Sequence, residues 1–133
     1  MSYPVQKTEE QWKQELSTEE YQVLRKAGTE RPWSGTLLDE HGDGVFRCRA
    51  CQAPLFKSTT KFESGSGWPS FYEPITPDAV ELKTDRSWLM TRTEVRCASC
   101  GSHLGHLFDD AYQTPTGDRF CMNSVSLDFE ATK

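Results

Sequence analysis

The sequence predicts a mainly β fold, with short helices at the N-terminus and a metal clip that joins two distant hairpins. This expectation rests on paired cysteines in two similar contexts, on helix-start signals near the N-terminus, and on short alternating runs elsewhere. The chain has 133 residues, of which 35% are hydrophobic, with 9 Gly and 7 Pro. A chain of this length supports one modest core. We therefore expect a single domain over residues 1–133 that needs an additional stabilising link.

Helix-start signals occur twice near the N-terminus. Thr8 with Gln11, and Ser17 with Glu20, fit the capping box, in which two side chains satisfy free backbone N–H groups of the first turn. Gly28 fits the residue just beyond a helix, a position where glycine often adopts the left-handed conformation. The sequence thus predicts two short helices before residue 28.

Beyond the helices, apolar and polar residues alternate in short runs, which is typical of antiparallel strands. Such runs occur at residues 80–82, 89–96 and 124–129. Extending the last run backward places Cys121 and Asn123 on one face of the same strand, about 7 Å apart. We therefore expect both side chains to reach one small ligand at the start of that strand.

Four of the five cysteines form two Cys-x-x-Cys pairs: Cys48, Cys51, Cys97 and Cys100. In a reducing compartment such pairs favour a metal over disulfides. Four thiolates are typical of a closed tetrahedral Zn²⁺ site, which is structural because it leaves no position for a substrate. The alternative is a redox dithiol pair of the thioredoxin type. We expect the zinc site, with one pair at the tip of each hairpin.

Charge and hydropathy exclude several classes of partner. The net charge of −5 and pI near 5.2 disfavour electrostatic binding to nucleic acid or to an anionic membrane. A membrane-spanning helix needs about 20 apolar residues, and the sequence has no such run. The first residues also lack the apolar stretch of a signal peptide. We expect a cytoplasmic monomer without a nucleic-acid or membrane partner.

Several residues suggest chemistry without deciding it. Cys121 is left over from the pairs, and it fits either a nucleophile or a buried structural thiol. His103 and His106, close to Asp110, fit catalytic groups, metal ligands or ordinary polar residues. Trp68 lies in a glycine-rich turn, where an indole can be a substrate platform or part of the core. The residues alone leave these alternatives open.

Longer segments give the chain a family resemblance. They comprise residues 21–32, 57–62 and 91–95, together with Gly67-Trp68-Pro69-Ser70-Phe71, His103-Leu104-Gly105-His106 and Arg119-Phe120-Cys121-Met122-Asn123-Ser124. In this order, over about residues 8–129, they resemble the peptide-methionine (R)-S-oxide reductases, the B-type methionine sulfoxide reductases. The resemblance implies two antiparallel sheets and a four-cysteine zinc site remote from catalysis. It also implies reduction of methionine-R-sulfoxide, mainly in oxidised proteins or peptides.

The resemblance also assigns roles to individual residues. The catalytic group comprises Cys121, His106, His103 and Asn123, and the substrate-binding group comprises Trp68, Asp110 and Arg119. A sulfoxide is reduced when a thiolate attacks its sulfur while an acid protonates its oxygen. Cys121 is the expected nucleophile and becomes a sulfenic acid. His106 is the first choice for the acid, and His103 is the second.

The chain departs from the family pattern at several positions. Ser66 stands where many members have a resolving cysteine, and serine cannot form a disulfide. We therefore expect thioredoxin or a low-molecular-weight thiol to reduce the Cys121 sulfenic acid directly. Gln52 and Ala111 replace common glycines, and the segment 88–90 lacks a glycine before its methionine.

Two other functions are consistent with part of the pattern. A zinc-ribbon-like binding module would need the cysteine pairs but not Cys121, His106 and Asn123 together. A zinc hydrolase would use His103 and His106 as ligands, although four thiolates already complete a zinc site. The reductase is the function that uses every one of these residues.

Overall fold

The computed structural model describes residues 3–86 and 91–132. Two α-helices come first, and they are α1 (Glu9–Glu15) and α2 (Thr18–Leu24). The strands are β1 (Gly44–Cys48), β2 (Pro54–Lys57), β3 (Lys61–Phe62), β4 (Ser70–Phe71), β5 (Val80–Asp85), β6 (Arg92–Cys97), β7 (His103–Phe108), β8 (Arg119–Met122) and β9 (Leu127–Ala131). The predicted mainly β class with N-terminal helices is confirmed.

The strands form two antiparallel sheets, as the resemblance implied. One sheet has three strands in the order β2-β1-β9, and the other has six in the order β3-β4-β8-β7-β6-β5. Strands β7 and β8 lie side by side in the middle of the larger sheet. This central position fixes the backbone of both strands through hydrogen bonds on each side.

The two predicted capping boxes are present. Gln11 N–H donates to Thr8 Oγ1 at 3.2 Å, and Glu20 N–H donates to Ser17 Oγ at 3.1 Å. The predicted role of Gly28 is wrong by one residue, because Ala27 takes the left-handed conformation with φ 56°. Gly28 instead donates its N–H to the carbonyl oxygen of Gln22 at 2.9 Å.

The prediction of one continuous strand from Cys121 to residue 129 is wrong. Strand β8 ends at Met122, and a 3-10 turn over Ser124–Ser126 carries the chain to β9 in the other sheet. The alternation misleads because this turn buries the hydroxyl side chains of Ser124 and Ser126 and leaves Val125 half-buried. The predicted runs at 80–82 and 89–96 correspond to β5 and β6, although residues 89 and 90 lie outside the described residues.

The core lies between the two sheets and is rich in phenylalanine. Phe46 and Phe56 belong to the smaller sheet, and Phe71 belongs to the larger one. The ring centroids of Phe56 and Phe71 are 4.4 Å apart, and those of Phe46 and Phe71 are 4.9 Å apart. Contacts of this kind add to the free energy gained by burying the rings. They hold the larger sheet against the smaller one.

Candidate active site and metal centre

The two cysteine pairs occupy equivalent turns in the two sheets. One turn joins β1 to β2, and the other joins β6 to β7. In each turn the residue after the second cysteine donates its N–H to the first cysteine's carbonyl oxygen, Gln52 to Cys48 at 2.7 Å and Gly101 to Cys97 at 2.8 Å. Both residues have left-handed backbones, with φ 67° for Gln52 and 77° for Gly101.

These turns bring four sulfur atoms together. The ligand atoms of Cys48, Cys51, Cys97 and Cys100 all lie within 4.8 Å of one another. The Sγ atoms of Cys48 and Cys100 are 3.7 Å apart, and those of Cys51 and Cys97 are 3.6 Å apart. Tetrahedral bonds of 2.3 Å from zinc to sulfur would separate the sulfurs by about 3.8 Å. The four thiols therefore have the spacing that a tetrahedral ion requires.

The predicted nucleophile and the preferred acid meet through strand pairing. Cys121 on β8 lies opposite His106 on β7 and opposite Ser70 on β4. His106 in turn lies opposite Glu94 on β6. Residues directly opposite in antiparallel strands present their side chains to the same face of the sheet. The row therefore gathers a thiol, an imidazole and a carboxylate on one surface.

His103 joins this surface because the register of β6 and β7 shifts. The shift falls between Val95 and Arg96, so that Arg96 pairs with His103. His103 Nδ1 then lies 2.7 Å from Glu94 Oε2, and its ring centroid is 5.3 Å from that of His106. The side chain is buried, and its Nε2 atom has no hydrogen-bond partner among the described residues.

A carboxylate orients His106. The Nε2 atom of His106 lies 3.0 Å from Asp85 Oδ2, which is also 3.3 Å from Arg92 Nη2. Burial lowers the pKa of His106 below its usual value of 6.5, although the hydrogen bond to Asp85 opposes the shift. The imidazole is therefore uncharged at neutral pH. Because Nε2–H points to the carboxylate, Nδ1 is the atom that can accept a proton.

Cys121 is a buried thiol close to the guanidinium of Arg119. Burial raises its pKa above the usual 9.0, while Ser66 and Arg119 lower it. Arg119 is held by two hydrogen bonds to the carboxylate of Asp110, at 2.9 and 3.0 Å. Its guanidinium carbon also lies 4.4 Å from the centroid of the Phe108 ring. Asp110 and Arg119 thus form a charged pair beside Cys121.

A small cavity opens at Cys121. It has a volume of about 80 Å³ and is lined by Thr29, Trp68, Arg92, Gly105, His106, Phe108, Cys121 and Asn123. Four of the predicted site residues therefore share one cavity. The other three, His103, Asp110 and Arg119, contact residues beside it. A larger cavity of about 690 Å³ lies elsewhere, between α2, Gly35 and β9.

Glu30 is a site residue that sequence reasoning did not single out. Its carbonyl oxygen accepts the indole N–H of Trp68 at 3.0 Å, and its N–H donates to Asn123 Oδ1 at 3.0 Å. Its carboxylate accepts the N–H of Val125, also at 3.0 Å. Glu30 therefore ties both cavity side chains to the 3-10 turn. Two of these contacts use the backbone of Glu30, so its side-chain type did not indicate a role in the site. Glu30 does lie in the segment 21–32 that carries the family resemblance.

The comparisons with known proteins agree with this geometry. The model of the SelR domain matches residues 16–131. The chain belongs to the SelR domain family, the B-type methionine sulfoxide reductases. A peptide methionine sulfoxide reductase MsrB from Leifsonia xyli subsp. xyli is 62% identical over 128 residues, which cover 96% of this chain and 92% of that protein. The MsrB of Methanosarcina barkeri is 57% identical over 126 residues, covering 95% and 88%.

The predicted family and enzyme class, a methionine sulfoxide reductase, are thereby confirmed. The sequence alternative of a non-catalytic binding module is correspondingly disfavoured. A solved structure, the Mis18 'Yippee-like' domain, matches with a TM-score of 0.52 at 16% identity, over 68% of this chain and 98% of that one. At that identity the likeness shows the fold alone. Among the described residues, no helix is long and apolar enough to cross a membrane.

Proposed function

We propose that this chain, as one catalytic domain, reduces methionine-R-sulfoxide in proteins and peptides to methionine, with Cys121 as the nucleophile. The observation that carries the proposal is the register that sets Cys121 opposite His106, within a cavity shared by Trp68 and Asn123. A nucleophile, a proton donor and an apolar wall are what a sulfoxide reductase needs at its centre.

The reaction begins with a proton shift inside the site. The resting thiol and imidazole are both uncharged, because burial raises the pKa of Cys121 and lowers that of His106. Transfer of the thiol proton to His106 Nδ1 produces a thiolate and an imidazolium. Asp85 stabilises the imidazolium through its hydrogen bond to Nε2 at 3.0 Å. The charge of Arg119 favours the thiolate.

The thiolate then reacts with the sulfoxide. The substrate sulfur gains two electrons, its bond to oxygen breaks, and methionine leaves as the thioether. Cys121 loses two electrons and keeps the oxygen as a sulfenic acid, with the proton supplied by His106. His103, fixed by Glu94, lies next to His106 and is the second candidate for the proton donor.

Trp68 and Asn123 position the substrate. The indole of Trp68 lines the cavity, and its N–H is tied to Glu30, so the ring has a fixed orientation. The apolar face of the ring suits the methyl group of the sulfoxide. Asn123 is held on both sides of its amide, by the N–H of Glu30 and the carbonyl oxygen of Leu104.

An external thiol completes the cycle. The hydroxyl of Ser66 lies 3.8 Å from Cys121 Sγ, and the other four cysteine sulfurs lie together in the candidate metal centre. Thioredoxin or a low-molecular-weight thiol therefore condenses with the sulfenic acid, releasing water and forming a mixed disulfide. A second thiol breaks that disulfide and restores Cys121.

The four clustered cysteines hold one structural Zn²⁺ in this proposal. Their spacing fits the ion, and a site closed by four thiolates supplies a cross-link rather than a reaction centre. His103 and His106 bond to Glu94 and Asp85 instead of joining the sulfurs. This arrangement disfavours the zinc hydrolase that the sequence left open.

A turnover assay with a peptide carrying either the R or the S epimer of methionine sulfoxide tests the proposal. It is run with thioredoxin and its reductase, and in parallel with dithiothreitol. We expect turnover of the R epimer only, and none in a folded, zinc-loaded Cys121→Ser variant. Equal turnover of both epimers, or retained activity in Cys121→Ser, would contradict it.

A further inference from the structure

Three serine hydroxyls form a chain that ends at the sulfur of Cys121. Ser66 Oγ lies 3.8 Å from Cys121 Sγ, within the range of hydrogen bonds to sulfur. Ser64 Oγ lies 2.8 Å from Ser66 Oγ and 2.8 Å from Ser70 Oγ. The hydroxyl of Ser70 is 3.1 Å from the carbonyl oxygen of Trp68, to which it donates. Ser70 is buried, and Ser64 and Ser66 are half-buried.

The neighbouring groups give this chain a direction. A carbonyl oxygen accepts only, so the hydrogen of Ser70 is committed to Trp68. Ser70 Oγ can then accept from Ser64, whose own oxygen accepts the N–H of Ser66 at 3.3 Å. Ser66 Oγ likewise accepts the N–H of Trp68 at 3.4 Å. The one hydrogen of Ser66 then has three acceptors within reach, Ser64 Oγ at 2.8 Å, the carbonyl oxygen of Trp68 at 3.5 Å and Cys121 Sγ at 3.8 Å. A negative charge on the sulfur makes Cys121 the strongest acceptor of the three.

We propose that Ser66, held by Ser64 and Ser70, donates its hydroxyl to Cys121 and stabilises negative charge there, first on the thiolate and then on the sulfenate. Ser66 is thus a positioning residue in the place of a resolving cysteine. It assists the nucleophile without capturing the oxidised form. The second role rests on the function proposed above, whereas the first requires only that Cys121 ionises.

Charged groups around Cys121 also influence whether its thiol ionises. Arg119, two residues earlier on β8, favours the thiolate, and Glu30 opposes it. His106 faces the sulfur from β7, and Arg92 reaches the same cavity from β6. Burial is the largest influence and favours the neutral thiol. A hydroxyl donor offsets part of that cost because it replaces a lost water.

The pH dependence of Cys121 alkylation by iodoacetamide measures this effect without any turnover. The zinc-loaded protein is used, and mass spectrometry of the peptide that contains Cys121 reports the rate. We expect Ser66→Ala to move the midpoint of reaction to higher pH by roughly one unit, the size expected for a hydrogen bond to a charged group. Ser66→Thr keeps the hydroxyl and should restore the original midpoint.

Two further variants guard against an effect of misfolding. Ser64→Ala leaves Ser66 in place but removes its support, and we expect a smaller shift in the same direction. Thr59→Ala, at an exposed residue outside the site, should leave the midpoint unchanged. The proposal is overturned if Ser66→Ala and Ser64→Ala titrate like Thr59→Ala. Normal turnover of the R epimer alongside that result would leave the proposed reductase function intact.

Discussion

Cys121 and His106 lie directly opposite each other on adjacent antiparallel strands in the middle of the larger sheet. The backbone hydrogen bonds of β7 and β8 therefore set the approach of thiol to imidazole, and the flexible side chains need only small adjustments. The next strands extend the row with Glu94 on one side and Ser70 on the other. The proposed catalytic pair thus lies on the two central strands of the larger sheet.

This pairing predicts an activity plateau near neutral pH. The pKa of His106 is lowered below 6.5, and that of Cys121 is raised above 9.0. Between these values the pair carries one transferable proton. Below the pKa of His106 the pair carries two protons, and above the pKa of Cys121 it carries none, so kcat/KM should fall on both sides. A rate profile against pH for the R epimer measures both limbs.

Replacement of His106 should remove the acid limb of that profile. We predict that His106→Asn lowers kcat/KM by roughly 10²- to 10⁴-fold, the usual contribution of a general acid or base. His41 is the matched control, because its side chain is 67% exposed and it lies outside the cavity lining. An unchanged acid limb in His106→Asn, or an equal loss in His41→Asn, would rule out His106 as the proton carrier.

A thiol at position 66 should convert the chain to an intramolecular mechanism. Ser66 Oγ is 3.8 Å from Cys121 Sγ, so a small side-chain rotation would allow a Ser66→Cys thiol to reach bonding distance of about 2.05 Å. We predict a disulfide with Cys121 after one turnover without reductant, detected by mass spectrometry of the intact protein. The unmodified chain should instead end as a sulfenic acid.

Ser64→Cys is the control for that experiment. Ser64 lies two residues away and bonds to Ser66 and Ser70 rather than to Cys121. It should leave Cys121 as a sulfenic acid under the same conditions. Equal disulfide formation in both variants would contradict the specific approach of residue 66 to Cys121.

The first metal turn contains a strained residue. Gln52 has φ 67°, where a side chain costs about 1 kcal/mol or more relative to glycine. Its amide also donates to Asp128 Oδ2 at 2.6 Å. Gln52→Ala loses the side-chain hydrogen bonds to Asp128 and to the carbonyl oxygen of Arg49, whereas Gln52→Gly loses the same bonds and relieves the strain. We predict that the glycine variant is more stable than the alanine variant by about 1 kcal/mol.

Urea unfolding of both zinc-loaded variants measures that difference. Comparing glycine with alanine cancels the loss of the contact to Asp128. Gly101 occupies the same position of the second turn with φ 77°. Gly101→Ala should therefore be destabilising, all the more because its Cβ would lie 2.5 Å from the ring of Tyr3. Equal stability of the two position-52 variants would contradict the strain.

Loss of one clustered thiol should affect stability rather than chemistry. Cys48 is fully buried, and its sulfur is 3.7 Å from that of Cys100. We predict that Cys48→Ser lowers the zinc content below one ion per chain and abolishes cooperative thermal unfolding, because metal binding and folding are coupled. Cys121→Ser should retain one zinc and a cooperative transition. A fully metallated, equally stable Cys48→Ser would contradict the structural role.

Local patterns in the sequence predicted the parts of this molecule that depend on local geometry. The capping boxes at Thr8 and Ser17, and the two Cys-x-x-Cys turns, are set by residues within a few positions of each other. These short-range contacts do not depend on how the helix or turn packs against the rest of the protein. For the same reason Leu55 and Leu104, which follow the two turns at equal spacing, are both fully buried.

The sequence pattern could not predict contacts that depend on strand register. The bond of His103 to Glu94 requires the shift between Val95 and Arg96, which no alternation reveals. The bond of His106 to Asp85 joins β7 to β5, with β6 lying between them in the sheet. The resemblance supplied the candidate catalytic residues, whereas the orientation of the two histidines comes from these non-local partners.

The four clustered sulfurs come from hairpins of two different sheets, so an ion bound to all four would cross-link the two sheets. Cys48 and Cys97 are fully covered and Cys100 is 2% exposed, while Cys51 is only partly covered. A member of a family that reduces oxidised methionine thus contains oxidisable thiols of its own, and these four thiols are buried to different extents. Because Cys51 is the least covered of the four thiols, it is the one that peroxide would reach first, and its oxidation would remove one of the four candidate metal ligands.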